Sequence, residues 1–171
     1  MADIWIVSDA RNGDALQRAL SRLPRGSGVI YRHYHLKPDE RRKRFAEIAR
    51  LCRRYGHSIA LSGTAAQARQ WGADGAYGSP RYLSRGPALL RLATAHTLRE
   101  IAQANRSRAS AVLLSPAFPT RSHPGATSLG PLRFRLMAAR SRVPVIALGG
   151  MNAARARRLG TPKWAAIQAF A

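Results

Sequence analysis

The feature that most constrains this chain is an alternation: a short apolar run, a polar turn, a segment of helical period, then another apolar run. Eight such runs occur, at Asp3 to Asp9, Gly28 to Tyr34, His57 to Gly63, Ala73 to Ser79, Leu89 to His96, Ala111 to Ala117, Val143 to Gly150 and Lys163 to Phe170. Each has the length of a buried strand and is bounded by turn-forming residues. Between several of them apolar residues recur at helical spacing, over Gly13 to Leu23, Pro38 to Tyr55, Thr64 to Trp71, Leu98 to Asn105, Leu132 to Arg140 and Ala153 to Leu159. Pro38 followed by Asp39 and Glu40 suits a helix start, and Gly56 suits its end. Strands that alternate with helices pair in parallel. Eight units imply an α/β chain folded as a (β/α)8 TIM-type barrel, whose working face is the set of loops after the strands' C-terminal ends.

Length sharpens this expectation. A chain of 171 residues, 46% hydrophobic, can bury one core and is expected to form one domain over residues 1–171. Barrels of this kind usually need about 200 to 250 residues. The segment "PRYLSRGPA" after the fourth strand is too short for a full helix, and none follows the eighth before Ala171. The sequence therefore predicts a compact, irregular barrel with short or missing helices after strands four and eight. It also predicts an apolar seam near the C-terminus, covered by the termini or by a second copy in a homo-oligomer. The N-terminus lacks a basic n-region, and no run of about eighteen apolar residues exists, so a soluble cytoplasmic protein with no membrane partner is expected. Cys52 shares a helical face with Phe45, Ile48, Ala49 and Tyr55, which makes it a core filler. A single cysteine forms no intramolecular disulfide, which also suits a reducing compartment.

Charge is the unusual quantity: 29 basic residues against 8 acidic give +21. Only Lys37, Lys43 and Lys163 are lysine, and the rest are arginine. Such a field attracts polyanions, which implies nonspecific, salt-sensitive association with nucleic acid. The arginines are spread along the chain, with Arg41 to Arg44 the one dense cluster, and basic strands interleaved with aromatics are not evident.

Two strands empty into chemistry-bearing loops. "VLLSPAFPTRSHPGATSLG" breaks from apolar residues into Pro, Thr, Ser, His and Gly, and "VPVIALGG" ends on Gly149-Gly150. Together with "IWIVSD", "GVIYRHY", "WGADGAYGS" and "LATAHT", these segments resemble in order and spacing the thiamine phosphate synthase family and the related thiazole tautomerases. The resemblance covers nearly the whole chain and is most specific from Leu92 to Gly150.

It implies a phosphorylated small-molecule ligand, a thiazole phosphate, and for a synthase also a pyrimidine methyl diphosphate whose diphosphate departs with help from Mg²⁺. By resemblance, Gly149 and Gly150 would cradle the monophosphate with backbone near Gln168 and Ala169, although a glycine pair after a strand is also an ordinary tight turn. Thr120, Ser122 and His123 match the loop that grips the diphosphate, with His123 in place of a lysine. A Pro-flanked turn capped by hydroxyls would look the same. Arg32 matches a strand-two arginine with a fork of phosphate donors; pairing with a carboxylate is its structural alternative. His96 matches a general acid/base position of the tautomerases, with Thr94 two residues earlier on the same face, though a strand-end histidine can also be structural.

Departures from the family pattern are informative. The Asn-Asp pair after the third strand is replaced by Ser62-Gly63, and the acidic residue after the fourth by Tyr82 or Arg81. The pyrimidine-contacting Gln and Lys align with Ile30 and Tyr34. Asp9 and Asp74 lie at no matched ligand position, so no metal ligand is assigned and Mg²⁺ lacks its expected carboxylates. Three functions stay open: a synthase with altered contacts, a tautomerase using His96, and a noncatalytic barrel binding a phosphorylated ligand.

Overall fold

A computed structural model describes residues 1–120 and 127–167. Its strands are β1 Ile4–Val7, β2 Gly28–Tyr31, β3 Ser58–Ser62, β4 Gly75–Gly78, β5 Leu90–Ala95, β6 Ala111–Leu114, β7 Val145–Leu148 and β8 Trp164–Ala166. The helices are α1 Gly13–Arg22, α2 Pro38–Tyr55, α3 Ala65–Trp71, α4 Pro80–Leu83, α5 Leu98–Arg106, α6 Gly130–Ala138 and α7 Ala153–Leu159. A 3-10 turn, Ala10–Asn12, follows β1. Every strand pairs in parallel with the next, and β8 pairs with β1, so the sheet is a closed eight-stranded barrel. This is the (β/α)8 architecture that the alternation implied.

Closure takes a regular form. Ile4, Trp5 and Ile6 face Trp164, Ala165 and Ala166 in register, and the Trp164 amide donates to the Asp3 carbonyl at 2.9 Å. The apolar seam expected there is not open among the described residues: Trp164 and Ala166 are only 6% and 5% exposed. After β4 the helix is, as expected, a single turn.

Alternation along the strands divides the core into two. One set points into the barrel and includes Trp5, Val7, Ile30, Ala60, Tyr77, Leu92, Leu113, Ile146 and Ala165. The other packs against the helices, where Phe45, Ile48, Ala49 and Cys52 of α2 supply the face expected of them. Burial pushes the Cys52 thiol up to about 12, so it is a space-filling group and not a nucleophile. Trp5 fills the barrel interior and is fully buried, and it sits opposite Gly28 in register. A Cβ at Gly28 would collide with the Trp5 ring, which explains glycine at the start of β2. No helix among the described residues is long and apolar enough to cross a membrane.

Candidate functional site

The inward period-two rows run on to and past the strands' C-terminal ends, and there their chemistry changes. Ile30 gives way to Arg32 and Tyr34, Ala60 to Ser62, Leu92 to Thr94 and His96, and Leu113 to Ser115. These polar residues line a cavity of about 860 Å³ at the C-terminal mouth of the barrel, with Thr120, Gly149, Gly150 and Arg155. Polar loops follow apolar strands because the same face that packs the interior emerges into solvent at this end.

Of the residues expected from sequence, the mouth thus brings together Arg32, Thr94, His96, Thr120, Gly149 and Gly150. Ser122, His123, Gln168 and Ala169 lie outside the described residues. Arg81 and Tyr82, the counterparts of an acidic position, sit on α4 and do not line the mouth.

His96 is held by both its neighbours in sequence and its ring. Its backbone N–H and that of Thr97 donate to Glu100 Oε2 at 2.7 and 3.0 Å, while Thr97 caps α5 through the Glu100 amide at 3.2 Å. Nδ1 lies 2.9 Å from the Ser115 carbonyl oxygen and 3.2 Å from its hydroxyl. Among the described residues Nε2 has no hydrogen-bond partner, and the side chain is solvent-accessible at the cavity.

The Gly149-Gly150 loop is set by its neighbours. The Ala117 amide donates to the Leu148 carbonyl at 2.8 Å and the Phe118 amide to that of Gly149 at 3.1 Å. Gly149 and Gly150 take φ of +93° and +61°, the region that favours glycine. A Cβ at Gly150 would strike the Pro119 carbonyl oxygen, and one at Gly149 would come 2.8 Å from Pro116 Cα. Asn152 caps α7 through the Arg155 amide at 2.9 Å, and the Arg155 guanidinium donates to the Gly150 carbonyl while lying 5.1 Å over the Phe118 ring. The loop therefore presents backbone beside a cation.

The β2–β3 side carries the departures. Tyr34 and Ser62 are hydrogen-bonded through their hydroxyls. Arg41, from the first turn of α2, donates to the carbonyls of Arg32 and Ser62, both at 2.8 Å, and lies over Tyr31, Tyr34 and Trp71. Below them Ser8 Oγ contacts the Arg32 amide and His33 Nδ1, each at 2.7 Å. His33 is 3% exposed and stacks on Tyr31, and burial lowers its pKa to about 4.

Among the described residues no Asp or Glu lines the mouth. Asp9, beyond β1, is clasped by Arg11 at 2.8 Å, and that hydrogen bond holds its carboxyl down at about 2. Asp74 precedes β4 and accepts the Ile59 amide at 2.8 Å, at the strands' other end. Among the described residues no three His, Cys, Asp or Glu side chains are grouped to hold a metal. A hard ion such as Mg²⁺ prefers carboxylate oxygens, so these residues do not fit it.

Tyr34, Ser62 and Ser115 could have been recognised as site residues by extending the inward rows. Arg41 and Arg155 carry no such signal, because helices bring them in.

A family model described as thiamine monophosphate synthase (TMP-TENI) matches residues 4–169. Among solved structures, thiamine phosphate pyrophosphorylase from Pyrococcus furiosus is similar, with a TM-score of 0.79 and 21% identity over 96% of this chain and 85% of that one. The Bacteroides thetaiotaomicron protein of the same description gives 0.65 and 13% over 99% and 84%. A citrate synthase variant gives 0.67 at 9% over 96% and 85%, so likeness at these identities speaks to fold alone. No curated protein matches significantly.

Proposed function

The chain belongs to the thiamine monophosphate synthase family, and we propose that it is a thiamine phosphate synthase-like protein whose barrel mouth binds a thiazole phosphate. The observation that carries this reading is a mouth with guanidinium groups and glycine backbone but, among the described residues, no carboxylate. An anionic ligand meets Arg32, Arg155 and the Gly149-Gly150 loop there without like-charge repulsion.

The chemistry these residues suit best is proton transfer. With Nδ1 donating to the Ser115 carbonyl, Nε2 of His96 is the basic atom. It would take a proton from one carbon of the thiazole-type ring and return it to another, leaving composition unchanged. Thr94, on the same face, would help position the ring. Coupling to a pyrimidine methyl diphosphate is the second reading, favoured by Arg32 and Arg155 as cations for a departing diphosphate.

Calorimetric titration with thiazole phosphate and with pyrimidine methyl diphosphate, each in Mg²⁺ and in EDTA, tests the assignment. Thiazole phosphate is expected to bind equally in both media, with little Mg²⁺-dependent coupling. Absence of thiazole phosphate binding overturns the ligand assignment. Robust coupling abolished by EDTA overturns the metal-independent chemistry.

A further inference from the structure

The mouth uses few of the 29 basic residues, and a second concavity on the barrel's outer wall gathers others. Because α4 is one turn long, the space a full helix would occupy between α3 and α5 is a hollow of about 990 Å³. Arg81, Arg85, Arg99 and Arg106 line it, with Tyr82 beside them and no Asp or Glu among its lining residues. All four arginines are exposed, and none joins a salt bridge among the described residues. Tyr82 is 71% exposed, an unusual placement for an aromatic side chain without a partner.

We propose that this groove binds single-stranded nucleic acid, its arginines holding consecutive phosphates and Tyr82 stacking on a base. Guanidinium forks match phosphate oxygens in pairs. A concave floor with an exposed ring suits a flexible strand whose bases can turn out. A duplex would offer the arginines its phosphates but keeps its bases stacked inside, which leaves Tyr82 no base face to stack on. An acidic polypeptide would satisfy the arginines but gives Tyr82 no stacking partner. The residues are separate from the barrel mouth, so this inference stands whether or not thiazole phosphate binds there.

Fluorescence anisotropy with oligo-dT and oligo-rU of about twelve nucleotides, across salt, tests it. Single strands are expected to bind at least about tenfold tighter than a duplex of equal length or polyglutamate. Combined Arg81→Gln, Arg85→Gln, Arg99→Gln and Arg106→Gln should lower the slope of log affinity against log salt by about 3, as four released counterions require. Tyr82→Ala should weaken single-strand binding by about fivefold or more. The control combines Arg18→Gln, Arg22→Gln, Arg50→Gln and Arg157→Gln, which remove equal charge elsewhere and should change the slope far less. An equal effect of the two sets, or duplex or polyglutamate binding as tight as single strands, overturns the proposal. Circular dichroism melts establish folding. If the groove set unfolds, Arg85→Gln and Tyr82→Ala singly carry the same comparison.

Discussion

The ring of His96 and the backbone of Ser115 fix a tautomer between them: Nδ1 stands 2.9 Å from a carbonyl oxygen, which only accepts. Nδ1 therefore bears the proton when the ring is neutral, and Nε2 bears the lone pair. His96→Gln should reduce a tautomerase turnover by about 10²-fold or more. Thiazole phosphate affinity should change by no more than about twofold, because the phosphate contacts proposed above lie elsewhere. Calorimetry and turnover measured on the same preparation separate the two. If affinity falls in step with rate, His96 is a ligand-gripping residue and not a proton shuttle.

Gly150 should be intolerant of a side chain. Its φ is +61°, and a Cβ would meet the Pro119 carbonyl oxygen and come 2.9 Å from Arg155 Nη1. Gly150→Ala should destabilise the fold by about 1–3 kcal/mol through left-handed strain and displaced backbone. It should also weaken thiazole phosphate binding at least about tenfold. Urea denaturation gives the first quantity and titration the second. A variant with unchanged affinity would place the phosphate away from this loop.

Acid should weaken the fold through His33. Burial, then His35, Arg44 and Arg41, lower its pKa to about 4 from an ordinary 6.5, and Asp9 opposes them. The unfolded chain thus takes up a proton between those values that the folded chain refuses. The contribution is complete above about pH 6.5, falls as pH drops towards 4, and is flat below, with a total of about 3 kcal/mol. His33→Phe, which keeps an aromatic ring against Tyr31, should flatten the loss of urea midpoint between pH 6.5 and 4. An unchanged pH profile in that variant would assign the acid sensitivity to other groups.

Much of this fold was legible because strands and helices differ in period. All eight strands and the α1, α2, α3, α5, α6 and α7 segments were recognisable, since each packs one row or one stripe against a common core. Strand ends were set too late in the chain: Arg32, Tyr34 and His96 prolong the alternation after the sheet's hydrogen bonds have stopped. The candidate site was legible where it lay at a strand's end or prolonged it, as with Thr94 and His96, or where glycines marked a turn. Arg155 was not, because its role depends on how α7 leaves the Gly150 loop. Nor was the Tyr34–Ser62 hydrogen bond, which joins residues 28 positions apart. It occupies the mouth where family resemblance led one to expect groups for a metal and a pyrimidine.

Four consecutive cations in the chain, Arg41 to Arg44, do not remain together as a patch in space. Arg41 turns inward to brace two carbonyls and three rings, and Arg44 is engaged with Glu47 at 2.8 Å and with the Gly13 carbonyl at 3.3 Å. Only Arg42 and Lys43 are left exposed in the run. Formal charge and presentable charge are therefore different properties of this molecule. A visiting anion meets fewer free guanidinium donors than the number of arginines suggests, because some guanidiniums serve as struts of the architecture.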